Sequence, residues 1–200
     1  MQIIAMLTML VDHIGRMFFP DQFICGIIGR IAFPLYVHMF VRSYDLTRDR
    51  KSYLKRLFFL AIISQIPYSL SFQTIDINVI ASLTMYLIIF TLVGRVHTKL
   101  IKISFVVFGA ALLEFLHFDY GAYGLFLAMI FRYSDRAKMI LLHYLLNLTA
   151  LVCKGWFFQM FSLFPTAMIL VLGIKNGTTQ ELYLFIYGDI FIRYISFSYG

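Results

Sequence analysis

Residues 8–20 read "TMLVDHIGRMFFP" and place three ionisable side chains, Asp12, His13 and Arg16, in a strongly apolar stretch. The apolar run around them has the length of a membrane helix, which needs about 20 apolar residues. A charged side chain inside the hydrocarbon costs about 2.5–3.5 kcal/mol on insertion scales, so it normally faces the interior of a helix bundle and serves a function. The stretch therefore predicts a membrane helix with a polar, functional face.

The composition of the whole chain agrees with this interpretation. Of 200 residues, 61% are hydrophobic and 14% are charged, whereas a soluble domain usually has about 25% charged residues. The formal charge of +7 would suit a nucleic-acid partner in a soluble protein. Here the basic residues lie between apolar runs, where they set the orientation of membrane helices. We expect one integral-membrane domain over residues 1–200 and no nucleic-acid partner.

Nine apolar runs divide the chain, and none shows the strict alternation of a membrane strand. The sequence thus predicts an all-α, polytopic membrane helical bundle of about eight or nine transmembrane helices. The sixth and seventh runs are short for a full span, and the ninth is the least secure. The predicted segments are 2–19, 23–44, 54–72, 77–95, 100–117, 120–132, 138–153, 156–174 and 181–197.

Basic residues predict how the bundle is oriented. The segments after the even-numbered helices, together with Arg193, hold 14 of the 17 Lys and Arg residues. Because such residues stay on the cytoplasmic side, the N-terminus is predicted to be cytoplasmic and the protein to be a multi-pass protein of the cell (inner) membrane. Nine full spans would put Arg193 near the outer face, so the location of the C-terminus stays open.

The charged group of the first helix allows two pairings. Asp12 and Arg16 are four residues apart and share one helix face, so they can form an ion pair. Alternatively, Asp12 pairs with Arg30 of the second helix. His13 is rotated by about 100° from Asp12. Histidine is the side chain best suited to general-base chemistry near neutral pH, so we expect His13 to face a substrate.

Other polar residues in the apolar runs are weaker candidates. His38 lies deep in the second helix, and Glu114 is near the end of the fifth. His143 and Asn147 share a face of the seventh helix, which favours hydrogen bonding between helices. No metal-binding spacing and no phosphate-binding loop occurs. Cys25 and Cys153 are too few for a disulfide framework, and the sequence allows either two free thiols or one pair.

Several blocks, in order, resemble the TraX family of conjugal-transfer proteins. "IIAMLTMLVDHIGRMFFP" resembles the family's opening helix, and "GRIAFPLYVHMFVRSYDLTRDRKSYLKRL" resembles its second helix and the following loop. "INVIASLTMYLIIFTL" and "DYGAYGLFLAMIFRY" continue the match through about residue 135. The end departs from the family, because "LYLFIYGDIFIRYI" lacks the Pro and His of its aromatic closing segment.

The resemblance implies an integral-membrane N-acetyltransferase that uses acetyl-CoA and no metal. The member that gives the family its name is linked to acetylation of a pilin N-terminus, so the implied acceptor is a peptide or pilin amine, an amino sugar or a hydroxyl at the membrane or outer face. His13 would be the general base or transient acetyl carrier, Asp12 would orient or stabilise it, and Arg30 or Asn78 would stabilise the oxyanion. The residues implied for substrate or acetyl-CoA binding are Arg16, Pro34, His38, Arg48, Asn78, Glu114 and Tyr120.

Two other functions fit the same residues. In a small transporter, Asp12, His13 and Arg30 would form a proton or ion relay. In a non-catalytic membrane assembly factor, they would serve packing and orientation. The sequence leaves the acceptor and the oligomeric state open.

Overall fold

The computed structural model describes residues 1–19 and 22–171. Within them the chain forms eight α-helices and one 3₁₀ helix, and the only strand-like pairing there is an isolated bridge between Ile77 and Phe118. The elements are α1 Gln2–Phe18, α2 Phe23–Leu46, α3 Arg50–Phe72, α4 Val79–Arg95, α5 Lys99–Phe115, α6 Gly121–Tyr133, α7 Arg136–Lys154, the 3₁₀ helix Phe157–Ser162 and α8 Leu163–Val171.

The first seven predicted helices are confirmed as helices, with boundaries that differ by at most four residues. The eighth predicted segment, 156–174, is helical in its described part, but it begins as the 3₁₀ helix and continues as α8 instead of forming one α-helix. The ninth predicted segment, 181–197, lies outside the described residues, as do the closing motif and Arg193.

In the part of the chain that the structure describes, two helices are long and apolar enough to cross a membrane, judged by length and composition alone: Phe23–Leu46 and Arg136–Lys154. The apolar segments Val79–Arg95 and Phe157–Val171 are shorter. A 17-residue helix such as α1 or α5 extends about 26 Å, compared with a hydrocarbon core of about 30 Å. The all-α fold is confirmed, whereas the count of eight or nine spans stays a prediction.

The first two helices pack unusually closely because glycines lie at their contacts. A Cβ added at Gly15 would lie 2.2 Å from the Cβ of Cys25, and one added at Gly29 would lie 2.2 Å from Oδ1 of Asp12. Only a residue without a side chain fits at such a distance, and small residues are typical of close helix contacts in membranes. This packing brings Asp12 against the backbone of α2.

Helix α2 supplies much of the core. Ala32, Phe33, Leu35 and Val37 are buried, and α2 contacts α1, α4, α6 and the 3₁₀ helix. By its internal contacts the chain divides into two units, Met1–Thr166 and Ala167–Gly200. The first unit contains α1 to α7 and the 3₁₀ helix; of the second, the structure describes only the end of α8.

Candidate functional site

A small cleft lies where α1, α2 and α3 meet the α5–α6 connection. Its volume is about 20 Å³, enough for roughly one water molecule. An acetyl thioester needs more room, so the cleft must widen before it can bind one. The walls combine the ionisable residues of α1 with aromatic and acidic side chains from distant parts of the chain: Asp12, His13, Arg16, Tyr36, Tyr68, Phe72, Asp119 and Tyr120.

His13 is held in one tautomer by its own helix. Its Nδ1 lies 2.9 Å from the backbone carbonyl oxygen of Met9, one turn earlier. A carbonyl oxygen only accepts, so Nδ1 must carry the hydrogen and Nε2 keeps its lone pair while the ring is neutral. The ring also packs edge-on against Phe72 at a centroid distance of 5.1 Å. This arrangement leaves Nε2 available as a base.

Asp12 pairs with Arg16, which decides between the two predicted pairings. Arg16 Nη2 lies 3.1 Å from Asp12 Oδ2, one helical turn away. The other carboxylate oxygen, Oδ1, is buried and has no hydrogen-bond partner among the described residues. Asp12 Oδ2 is 3.9 Å from His13 Nδ1, too far for a hydrogen bond. The Met9 carbonyl, and not a hydrogen bond to Asp12, thus orients His13, while the other predicted role of Asp12, charge stabilisation of His13 across 3.9 Å, stays a prediction.

Arg30 adjoins the cleft behind Tyr120. Its Nη1 donates to Gln159 Oε1 at 3.2 Å and makes a longer contact of 3.4 Å with the Tyr120 hydroxyl. Its Nε is buried without a partner in the described part of the chain. Pro34, one turn later, is buried inside α2 and does not line the cleft. Since proline has no N–H, Pro34 leaves the Arg30 carbonyl without its usual helical donor.

The α5–α6 connection supplies Asp119 and Tyr120. Tyr120 has a φ of 59°, a left-handed conformation that is uncommon for a non-glycine residue. Its ring stacks on Phe33 with centroids 3.6 Å apart. The backbone N–H of Asp119 donates to the Ile77 carbonyl at 2.8 Å, which ties the connection to the start of α4. Burial raises the pKa of Asp119 to about 6, although Arg16 and Arg30 oppose the shift.

Asn78 and Glu114, both predicted to bind substrate, have structural roles instead. Asn78 caps α4 with its side-chain oxygen and uses Nδ2 to donate to the Ala61 carbonyl at 2.8 Å and to Gln65 Oε1 at 2.8 Å. With both hydrogens used, Asn78 has no donor left for an oxyanion. Glu114 forms an ion pair with Lys154 at 2.7 Å and accepts from the Ala122 backbone N–H.

His38 and Arg48 lie away from the cleft. His38 packs against Phe131, and its Nε2 is buried without a hydrogen-bond partner among the residues described. Arg48 is exposed in the basic α2–α3 connection. Along α2, Arg30 and Leu46 are separated by about 24 Å at the usual helical rise. A ligand that contacts both Arg48 and the cleft would have to extend over about that length.

The predicted hydrogen bonding of His143 and Asn147 between helices is confirmed. Both side chains are fully buried and contact the Tyr123 hydroxyl of α6, at 3.0 Å and 2.8 Å respectively. Cys25 and Cys153 are free thiols, so the alternative that they pair was wrong. Among residues 1–19 and 22–171, no group of three or more His, Cys, Asp and Glu side chains could hold a metal ion.

Several cleft residues were not among the predicted site residues. Tyr36, Tyr68 and Phe72 are aromatic residues in an aromatic-rich chain, so nothing in the sequence distinguishes them. Asp119 could have been identified as a site residue from the sequence, because it is an acidic residue next to the predicted site residue Tyr120 in a short connection. Gln159 lies in an aromatic segment, "WFFQMFSLFP", whose polar residues mark the buried face of the 3₁₀ helix.

No curated protein and no solved structure matches this chain. The family model described as TraX protein matches residues 1–196 of the 200. This match extends well beyond residue 135, where the recognisable blocks end, and it includes the divergent closing segment. Since it covers nearly the whole sequence, the chain belongs to the TraX protein family.

Proposed function

We propose that this TraX-family protein is an integral-membrane acetyltransferase. It would transfer an acetyl group from cytoplasmic acetyl-CoA to an amine, or a hydroxyl, at the membrane or outer face. The observation that carries the proposal is the 2.9 Å contact of His13 Nδ1 with the Met9 carbonyl, which directs the lone pair of the neutral ring to Nε2 in a cleft between helices.

A membrane location is supported by the surface of the helices. Large apolar side chains such as Ile3, Leu70 and Phe108 are about 70% exposed. Soluble monomers rarely expose large continuous apolar patches, whereas a lipid-facing surface consists of them. Together with two candidate spans and the family, this supports membrane association. The multi-pass inner-membrane arrangement with a cytoplasmic N-terminus is part of the proposal.

In the proposed reaction, His13 Nε2 takes a proton from the acceptor amine as its nitrogen attacks the thioester carbonyl carbon. A new carbon–nitrogen bond forms, the carbon–sulfur bond breaks, and the CoA thiolate takes the proton back from His13. Arg30 and the Tyr120 hydroxyl, which contact each other beside the cleft, are the donors we assign to the oxyanion, since Asn78 is committed to the α4 cap. Transfer through an acetyl-histidine would use the same atoms.

Acetyl-CoA fits this arrangement only in an extended form. The exposed basic residues Arg48, Arg50 and Lys51 would attract its phosphates from the cytoplasmic side. The cleft is roughly 20 Å farther along α2 at the usual helical rise. The pantetheine arm would have to cover that distance, and the cleft would have to open to admit the acetyl group.

The test is CoA release by the purified protein in detergent, with acetyl-CoA and a pool of peptide and sugar amines. His13→Ala and His13→Gln should lose at least about 100-fold in turnover, because general-base catalysis contributes on the order of 10²–10⁴-fold. His97→Ala is the matched control, since His97 is exposed in the α4–α5 connection and should keep wild-type turnover. Folded wild-type protein that neither binds nor consumes acetyl-CoA would contradict the proposal.

One observation favours a transporter as the second candidate. A continuous series of hydrogen bonds connects Arg30 through Gln159 and Tyr123 to His143, and buried ionisable residues such as Arg30 and His143 often mark ion or proton pathways in membrane proteins. Proton flux into liposomes that contain the protein, lost in His143→Leu, would support this function. Absence of flux in a preparation that turns over acetyl-CoA would exclude it.

A further inference from the structure

A second group of polar side chains is buried behind the cleft. It consists of Tyr123, His143, Asn147, Gln159, Ser162 and Thr166, here called the Tyr123 network. Tyr123 is 4% exposed and the other five are 0% exposed. None of these six side chains lines the cleft. Burying so many polar groups is costly unless all are paired, so the network needs a physical reason.

The network holds Gln159 from two sides. The Gln159 Nε2 donates to the Tyr123 hydroxyl at 3.0 Å, and that hydroxyl donates to Asn147 Oδ1 at 2.8 Å. The Nδ2 of Asn147 donates back to the Gln159 backbone carbonyl at 3.1 Å. Both the side chain and the main chain of Gln159 are thus fixed.

The far end of the network is equally well anchored. His143 Nε2 lies 3.0 Å from the Tyr123 hydroxyl and 3.1 Å from Ser162 Oγ, and its Nδ1 lies 2.8 Å from Thr166 Oγ1. None of these side-chain atoms is among the buried polar atoms that lack a partner in the described residues. The Tyr123 network thus supports Gln159, which in turn contacts Arg30.

Arg30 is the residue that Gln159 holds on the other side. Because Nε2 of Gln159 is committed to Tyr123, its Oε1 is directed to Arg30 and accepts from Nη1 at 3.2 Å. The Nε–H of Arg30 is buried and remains unpaired within the described part of the chain. An unpaired buried donor is costly by itself, and an acceptor oxygen on a bound substrate would relieve that cost.

We propose that Gln159 is a positioning residue, which the Tyr123 network fixes so that it holds the Arg30 guanidinium with a free donor for the reacting group. This rests on the proposed acetyl transfer and adds a residue that the sequence did not single out. In this proposal the 3₁₀ helix places Gln159 inside the bundle at the level of Arg30.

The test compares Gln159→Leu, Gln159→Glu and the matched control Gln65→Leu in the CoA-release assay. Gln65 also makes several side-chain hydrogen bonds, to Ser69, Asp76 and Asn78, but none to Arg30. Gln159→Leu should lower kcat by about tenfold or more with less than about a twofold change in KM, because displaced catalytic groups act on the transition state. Gln159→Glu keeps an acceptor for Arg30 and should recover part of kcat.

A second comparison uses the Arg30→Gln background, where Gln159→Leu should cause no further loss in kcat. Wild-type kcat in Gln159→Leu, or equal losses in both backgrounds, would overturn the positioning role. If the wild-type protein shows no turnover, the proposed acetyl transfer is contradicted. Thermal unfolding then tests the coupling between Arg30 and Gln159 independently. Non-additive shifts in Tm for Arg30→Gln and Gln159→Leu would then support the Arg30–Gln159 coupling, and additive shifts would overturn it.

Discussion

Gly29→Ala tests whether the close contact between α1 and α2 shapes the cleft. A Cβ at position 29 would lie 2.5 Å from the Cβ of Asp12, whereas ordinary contacts begin at 3.4 Å. The Cβ of Asp12 cannot rotate away, so α1 must move by about 0.9 Å, the difference between these distances. Misplacement by about 1 Å costs on the order of 100-fold in rate. We therefore expect turnover of acetyl-CoA to fall about 100-fold.

The effect on stability should be small by comparison. Overpacking costs about 1–3 kcal/mol, and replacing a helical glycine by alanine recovers about 1 kcal/mol. The free energy of unfolding should therefore fall by about 0–2 kcal/mol, which thermal unfolding in detergent can measure.

Gly26→Ala is the matched control, on the same helix. A Cβ at position 26 has nothing within 4 Å, so this variant should keep turnover and gain up to about 1 kcal/mol in stability. Identical turnover and Tm for the two variants would contradict the predicted displacement of α1 by a Cβ at position 29. A lower Tm for Gly29→Ala than for Gly26→Ala, in a protein without acetyl transfer, would support the packing argument while contradicting the proposed function.

Two further predictions concern residues around the cleft. Asn78→Ala should lower the free energy of unfolding by about 2–4 kcal/mol, since it removes the α4 cap and the side-chain donor to the Ala61 carbonyl, while Gln65 Oε1 keeps the backbone N–H of residue 78. The folded fraction should keep its turnover, and selective loss of turnover at unchanged Tm would show that Asn78 acts in the site. Asp119 has a pKa of about 6 in the folded protein, above its ordinary value of 3.8, so folding takes up a proton between these values. The stabilising contribution of protonated Asp119 is complete below about pH 4 and is lost as the pH rises through 6. The Tm of the wild type should therefore fall between pH 4 and pH 6 relative to the Tm of Asp119→Asn. Parallel Tm profiles of the two proteins would contradict the raised pKa of Asp119.

The positions of the helices could be predicted from the sequence because they depend on local properties. Apolar runs separated by short polar connections predicted the first seven helices, and the spacing of Asp12 and Arg16 allowed their ion pair. The shared face of His143 and Asn147 likewise predicted hydrogen bonding to other helices. In each case the deciding distances lie within one or two turns of a single helix.

The 3₁₀ helix was missed for a related reason. An apolar run of the right length favours a continuous helix, and the sequence contains no signal strong enough to change that. The tighter winding directs Gln159 and Ser162 into the bundle, where their partners come from α2, α6 and α7. These contacts are between residues far apart in the chain, so local patterns do not report them.

Composition and hydrophobic patterning were enough to predict apolar helices, with ionisable residues on the first one, because both properties act locally along the chain. The packing of helices far apart in the chain settled which of those residues share a cleft, and it placed Asn78 against Ala61 and Glu114 against Lys154 in structural roles. Polar groups in an apolar interior must find partners wherever the packing provides them. Which partner each one takes therefore depends on how distant helices meet.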